Sequence, residues 1–271
     1  MKKNIFSVLS TAFVVAALMA MSSCGHNNIN PNDKGDLSIE FEPRVGDNEL
    51  VLNTQTYKNA LNQDFTVTKF NYYVSNIVLT NADGTKYTVP QNESYFLISS
   101  ADKASQTITL KNVQEGDYTG ISFIIGVDSL RSTLDMSERT GVLDPAAGAS
   151  DMYWSWNSGY IFMKMEGTSP QAPLDSVTNT RNLYYHIGGF GANGSINNIR
   201  KVEIAFGGDK AEVRNDASSE ARFYVDAAKV VNGTTNVDFS THSDVMFNAY
   251  SVNISNNYKN MFSLMHIHNE H

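Results

Sequence analysis

Apolar and polar positions alternate along most of the chain. Leu37, Ile39 and Phe41 alternate with Ser38, Glu40 and Glu42, the period-two pattern of a half-buried strand. Residues 50–52 read as a short second strand. Residues 66–80, TVTKFNYYVSNIVLT, form the longest strand-like segment, rich in β-branched and aromatic residues, with Phe70, Tyr72, Val74, Asn76 and Val78 on one face. Asp83-Gly84 is a hairpin dipeptide that tolerates positive φ. Strands are predicted again over 95–98, 107–110 and 118–127. Residues 129–140 are charged and poorly periodic, a loop with one helical turn. Further strands follow over 184–187, 200–206, 223–231 and 237–239. Between them lie a Ser/Pro/Thr/Asn-rich loop (168–181) and the Gly-rich connection GGFGANG. The latter lacks the Lys-Ser/Thr ending and following helix of a phosphate loop. The spacing of Val245, Ala249, Val252 and Tyr258 predicts a helix over 245–262. About ten short strands with turn signals between them imply an all-β chain, a β-sandwich with long loops and a short C-terminal helical segment. No internal boundary divides residues 37–271, which read as one domain.

The stretch from Asp144 to Gly167, DPAAGASDMYWSWNSGYIFMKMEG, stands apart. It holds both tryptophans of the protein, Trp154 and Trp156, among Met152, Tyr153, Tyr160, Phe162, Met163 and Met165. If 153–166 is one extended strand, the two indoles stand side by side on one face. A pair of large aromatics ordinarily centres a core. Ser155, Asn157, Ser158 and Gly159 interrupt the apolar run, and a Gly inside a strand marks a bulge or a close approach by another group. Core and functional site both fit the pattern.

Composition narrows the chemistry. Lys2 and Lys3, an apolar run over 5–21 and small residues before Cys24 form a lipoprotein-type secretory leader covering 1–23. Cys24 is then the lipid acceptor, and 24–36, rich in Asn, Pro, Gly and Asp, a flexible tether. These features place the protein in the cell envelope, lipid-anchored to a membrane, with the outer membrane facing the periplasm as the expected site. Cys24 is the only cysteine, so the folded part has no disulfide, no thiolate metal centre and no CxxCH haem attachment. The chain carries 20 basic and 28 acidic residues, net −8. Without Lys2 and Lys3 the balance is 18 to 28, or −10, which argues against a nucleic acid partner.

Six histidines remain: His26, His186, His242, His266, His268 and His271. In an extended segment His266 and His268 share a face with Cα atoms about 6.5–7 Å apart, within reach of one ion. His186 sits in YYHIGG beside two tyrosines. Three imidazoles without a carboxylate motif favour copper or zinc over calcium or magnesium, and the nearby Trp, Tyr and Met residues favour copper. Each histidine also fits a packed or capping role. Asp128 and Asp144 read as turn formers, and Met163 and Met165 as core. No G-x-S-x-G, H-E-x-x-H or paired-carboxylate motif points to a hydrolase, and the chain reads as a non-enzyme.

Seven segments in order, FTVTKFNYYVSNI, GVDS, TGVLDPAAGA, MYWSWNSGYIFMKMEG, YHIGG, NNIRKVEIAF and NNYKNMFSLMHIHN, resemble the MbnP-like family, in a Bacteroidota lipoprotein form. The resemblance spans nearly everything from Gly35 to Asn269. It implies a periplasmic copper-binding protein whose companion is MbnH, a dihaem protein of the MauG and cytochrome c peroxidase kind. That companion oxidises a tryptophan of the family protein to kynurenine. By resemblance, Trp154 or Trp156 is the residue modified, with Tyr153 and Tyr160 as relays for the electron, and His186, His266 and His268 are the candidate copper ligands. The rival reading is a metal-free binding or scaffold lipoprotein accompanying a TonB-dependent transporter.

Overall fold

A computed structural model describes residues 29–156 and 159–270. The leader, Cys24, His26, Asn157, Ser158 and His271 lie outside the described residues. In chain order the strands are β1 (Lys34–Val45), β2 (Asn48–Glu49), β3 (Tyr57–Lys58), β4 (Asp64–Asn81), β5 (Lys86–Thr88) and β6 (Tyr95–Ser99). Then come β7 (Thr107–Gln114), β8 (Gly116–Ile125), β9 (Tyr153–Trp154), β10 (Gly159–Thr168) and β11 (Asn182–Gly188). The last are β12 (Arg200–Ala205), β13 (Ala211–Val213), β14 (Ser219–Asp226), β15 (Asp244–Val245) and β16 (Phe262–Asn269). Three short helices, α1 (Ser129–Ser132), α2 (Ala228–Val231) and α3 (Ser251–Tyr258), lie among them.

The strands form two sheets. The smaller runs β16-β14-β1-β2, with β7 also paired to β1, and contains one parallel pair, β1 with β14. The larger runs β12-β8-β4-β10-β11-β15, and the short β3, β5, β6, β9 and β13 hang on its members. The sheets enclose the main core. Phe41 of β1 stands at its centre, its ring 5.9–6.3 Å from Phe262, Phe223, Tyr72 and Phe123.

The middle of β4 is buried on both faces. Phe70, Tyr72 and Val74 enter the main core, while Tyr73 enters a second apolar cluster with Leu143, Met152, Trp154, Tyr160 and Phe162. A strand covered on both sides has no polar face to show, which is why 70–75 does not alternate cleanly. The cover is the segment 127–156, folded back over the outer face of the large sheet. It is pinned by the Tyr73 hydroxyl donating to the Val142 carbonyl (2.8 Å) and the Tyr160 hydroxyl donating to the Leu143 carbonyl (2.6 Å).

Several expectations need correction: residues 50–52 and 237–239 are not strands, and 228–231, expected to continue a strand, is α2. The predicted helix over 245–262 is only α3, and the chain then continues as a strand. Asn-rich sequence is a poor helix former, and Phe262 to His268 pairs with β14 instead. The single strand through both tryptophans is a hairpin: β9 pairs with the start of β10, Trp154 opposite Gly159, and the chain turns between them. Ser155 and Trp156 are turn residues. The first strand also begins earlier than the alternation indicated, at Lys34. Just upstream, the Asn30 amide donates to Glu115 (2.9 Å) and Gln114 donates to the Pro31 carbonyl (2.8 Å).

Candidate functional site

The outer face of the large sheet carries the unusual chemistry. Met163 and Met165 of β10 point into the main core, so Lys164 and Glu166 point outward. Cross-strand pairing puts Lys164 opposite Asn71 of β4 and His186 of β11, and Glu166 opposite Lys69 and Tyr184. All of these share the outer face. Lys164 is only 5 % exposed. Its ammonium donates to the Asp151 carboxylate (2.9 Å) and to the Asp151 carbonyl, and lies 3.9 Å from Glu166. Lys69 holds the other oxygen of Asp151 at 2.9 Å. Burial pushes the Asp151 carboxyl up, but the hydrogen bonds from Lys164 and Lys69 outweigh it and hold that carboxyl below its ordinary range. Two cations thus anchor Asp151, three residues before Trp154, to the sheet.

His186 belongs to this network. Its Nε2 lies 2.8 Å from a Glu166 oxygen. Burial, and then the Lys164 charge, lower its pKa, with Glu166 opposing them. The imidazole is therefore neutral at physiological pH. A neutral ring bonded through Nε2–H to a carboxylate keeps its lone pair on Nδ1, the orientation that carboxylates impose on metal-binding histidines. Asp244 of β15 is close enough for His186 to oppose the burial that raises its own pKa.

Two positions along β11 from His186, on the same face, lies Gly188. A Cβ built there would sit 2.7 Å from Cζ3 of Trp154 and 2.2 Å from the Tyr160 carbonyl oxygen. The absence of a side chain at 188 is what lets the Trp154 ring approach the strand this closely. Trp154 is 5 % exposed, and its Nε1 is buried with no hydrogen-bond partner. Asn71 Oδ1, on the same sheet face, is likewise buried and unpaired. Leaving such groups unpaired costs on the order of 1–3 kcal/mol each. Trp156, by contrast, is 65 % exposed, with its ring 5.5 Å from that of Trp154. The indoles do stand side by side, but across a turn, one inside and one at the surface.

His266 and His268 lie elsewhere. They sit on β16, opposite Arg222 and Glu220, in the small sheet. His186 and this pair do not converge: among the described residues no group of three or more His, Cys, Asp or Glu is placed to hold a metal ion. The Lys164, Asp151 and Glu166 network was missed by sequence reasoning. The alternation MKME does signal that Lys164 and Glu166 share a face, but nothing local marks Asp151 as their partner. Asp128 and Asp144 are turn residues here, accepting from the Arg131 amide (3.1 Å) and the Ala146 amide (2.9 Å).

The family model for MbnP matches residues 34–248. The chain belongs to the MbnP family. Among solved structures it is similar to MbnP from Methylosinus trichosporium, with a TM-score of 0.56 at 16 % identity, over 88 % of this chain and all of that one. At that identity the likeness speaks for the fold, and the all-β architecture with a short helix is the MbnP fold. A putative cell adhesion protein from Bacteroides eggerthii aligns over 89 % of this chain and 97 % of its own at 8 % identity, but its TM-score of 0.17 carries no argument. No curated protein matches the sequence. The match covers the Trp154, Lys164 and His186 face and stops short of His266 and His268.

Proposed function

We propose that this MbnP-family chain is a lipid-anchored envelope protein that binds copper beside Trp154 and His186 once a dihaem partner has oxidised Trp154, and that it is a binding protein rather than an enzyme. The observation that carries the reading is the buried, unpaired indole nitrogen of Trp154, whose ring packs over Gly188, two positions along β11 from a neutral, carboxylate-oriented histidine. Opening the indole to kynurenine would replace a nitrogen that satisfies nothing with an aryl amine and a ketone, polar groups able to ligate or hydrogen-bond. Among the described residues no group of three or more His, Cys, Asp or Glu is placed to hold a metal here, so the donor set would fit copper only with the groups that oxidation adds. His186 would then supply Nδ1, Glu166 would hold the ring by Nε2, and Lys164 and Asp151 would fix the hairpin. Copper itself would supply a soft, redox-active centre for imidazole and amine donors.

A haem partner works by removing electrons, and the route out matters more than direct contact. Trp156 supplies that route, because it is exposed and its ring stands 5.5 Å from Trp154. Tyr153 and Tyr160 are poorer relays. Their rings lie 5.9 and 5.7 Å from the Arg139 guanidinium, whose charge disfavours an electron hole. The Tyr160 hydroxyl donates to a carbonyl, which cannot take the proton that an oxidised tyrosine must lose. The test is copper content per chain after coexpression with the dihaem protein. Trp154→Phe should abolish bound copper, whereas Trp156→Phe should slow its appearance. Full copper loading of the Trp154→Phe chain would defeat the reading.

A further inference from the structure

We propose that the cavity where the 127–156 cover meets the start of β6 binds a free amino acid, a zwitterion with an apolar side chain. This binding does not depend on copper or on tryptophan oxidation. The cavity has a volume of 490 Å³, within the range of roughly 300–1,000 Å³ that small-molecule sites occupy. Tyr95, Val142 and Leu143 give it an apolar wall, and Asn92, Arg131 of α1 and Glu138 bring polar groups to it. The wall is preformed, because the Tyr73 and Tyr160 hydroxyls hold the carbonyls of Val142 (2.8 Å) and Leu143 (2.6 Å). An apolar wall with a few convergent polar groups is the usual make-up of a ligand site.

Arg131 and Glu138 decide what fits. The Arg131 guanidinium meets no carboxylate among the described residues. Its Nη2 donates to the neutral side-chain oxygen of Asn92, it lies 5.1 Å from the centroid of the Tyr95 ring, and its Nε is buried with no partner. Asp128 does not neutralise it. That carboxylate accepts instead from the Tyr95 hydroxyl, the Gln91 side chain (3.3 Å) and the Arg131 backbone amide (3.1 Å). Glu138 is exposed and forms no ion pair with any described residue. One cavity is thus lined by a cation and an anion that do not pair with each other. A carboxylate alone would be drawn to Arg131 and repelled by Glu138, and an amine alone the reverse. An α-amino acid carries both charges on one carbon. Its carboxylate suits the guanidinium, its ammonium suits Glu138, and an aliphatic side chain would cover the apolar wall.

The test uses the full chain in detergent, produced without a dihaem partner and titrated with L-leucine by calorimetry. Two half-charged analogues, N-acetyl-L-leucine and L-leucinamide, are titrated beside it. Saturable binding of leucine is expected, with both analogues weaker. Arg131→Gln should weaken leucine by about 10–100-fold, the worth of a hydrogen bond to a charged group, without weakening leucinamide. Glu138→Gln, at an exposed position, should bring N-acetyl-L-leucine level with leucine. The analogue comparison is made on the parent chain, so it decides the matter whether or not a variant folds. Absence of leucine binding by the parent chain, equal binding of all three compounds, or leucine binding unchanged in Arg131→Gln would overturn the proposal.

Discussion

Gly188→Ala is the sharpest perturbation of the account, because it adds one methyl group at the point where three elements meet. The new Cβ would lie 2.2 Å from the Tyr160 carbonyl oxygen and 2.7 Å from the Trp154 ring. Ordinary contact begins near 3.4 Å, so the clash with backbone exceeds an ångström and cannot be relieved by a rotamer change. The carbonyl is tied into the β9–β10 hairpin, and the register of β10 against β11 already shifts between Ile161 and Met163. Either the hairpin lifts or β11 moves. Overpacking of this kind costs about 1–3 kcal/mol, and the backbone partner puts this case at the upper end. For a domain of this size that is a fall in Tm of about 2–12 °C. In a Trp156→Phe background the only indole is Trp154, so its emission reports the site alone. The variant should unfold at lower temperature and show red-shifted emission in the native state. An unchanged Tm together with unchanged emission would mean that Trp154 does not pack on Gly188, and the geometry argued for the site would be wrong.

Other consequences can be checked separately. Glu166→Gln removes the charge that orients His186 and should lower copper affinity by about 10–100-fold in chelator competition, with little change in fold by circular dichroism. The Asp151 carboxyl is held below its ordinary pKa of 3.8, so its contribution to stability is present above that value and lost as pH falls through the lower folded value. Lys164→Met should flatten the acid limb of a stability–pH curve and destabilise the chain at neutral pH by about 1–3 kcal/mol, since the Asp151 carbonyl loses its donor. Cys24→Ala should leave the precursor uncleaved or release the protein from membranes, as cell fractionation would reveal.

Most of the longer strands were legible because alternation and turn dipeptides are local, while 50–52 and 237–239, apolar but too short to pattern, are not strands. The Asp83-Gly84 turn appears as the dipeptide requires, with Gly84 at φ +85°, but the face expected through Phe70, Tyr72, Val74, Asn76 and Val78 breaks at a bulge: Asn76 takes φ +54°, the pairing with β8 shifts between Ser75 and Val78, and Ile77 and Leu79 fill the core instead. The hairpin at 153–160 and the strand after α3 were not legible, because pairing partners decide them. Trp154 belongs to β9 on account of β10, and 262–269 is a strand on account of β14. The site was half legible for the same reason. Both tryptophans and His186 stand out by residue type, yet their proximity depends on Gly188, a residue with no chemistry of its own. The relation of His186 to His266 and His268 could not be read at all, since residue spacing says nothing about which sheet a strand joins.

Peptide mass spectrometry over Asp151 to Lys164, after coexpression with the dihaem protein and peroxide treatment, tests the central claim most directly. The account predicts an oxidised, ring-opened residue at position 154, with Trp156 retained as tryptophan. It also predicts that Trp156→Phe lowers the yield without moving the modification. Both tryptophans found intact beside a demonstrably active partner would contradict it, and so would modification confined to Trp156.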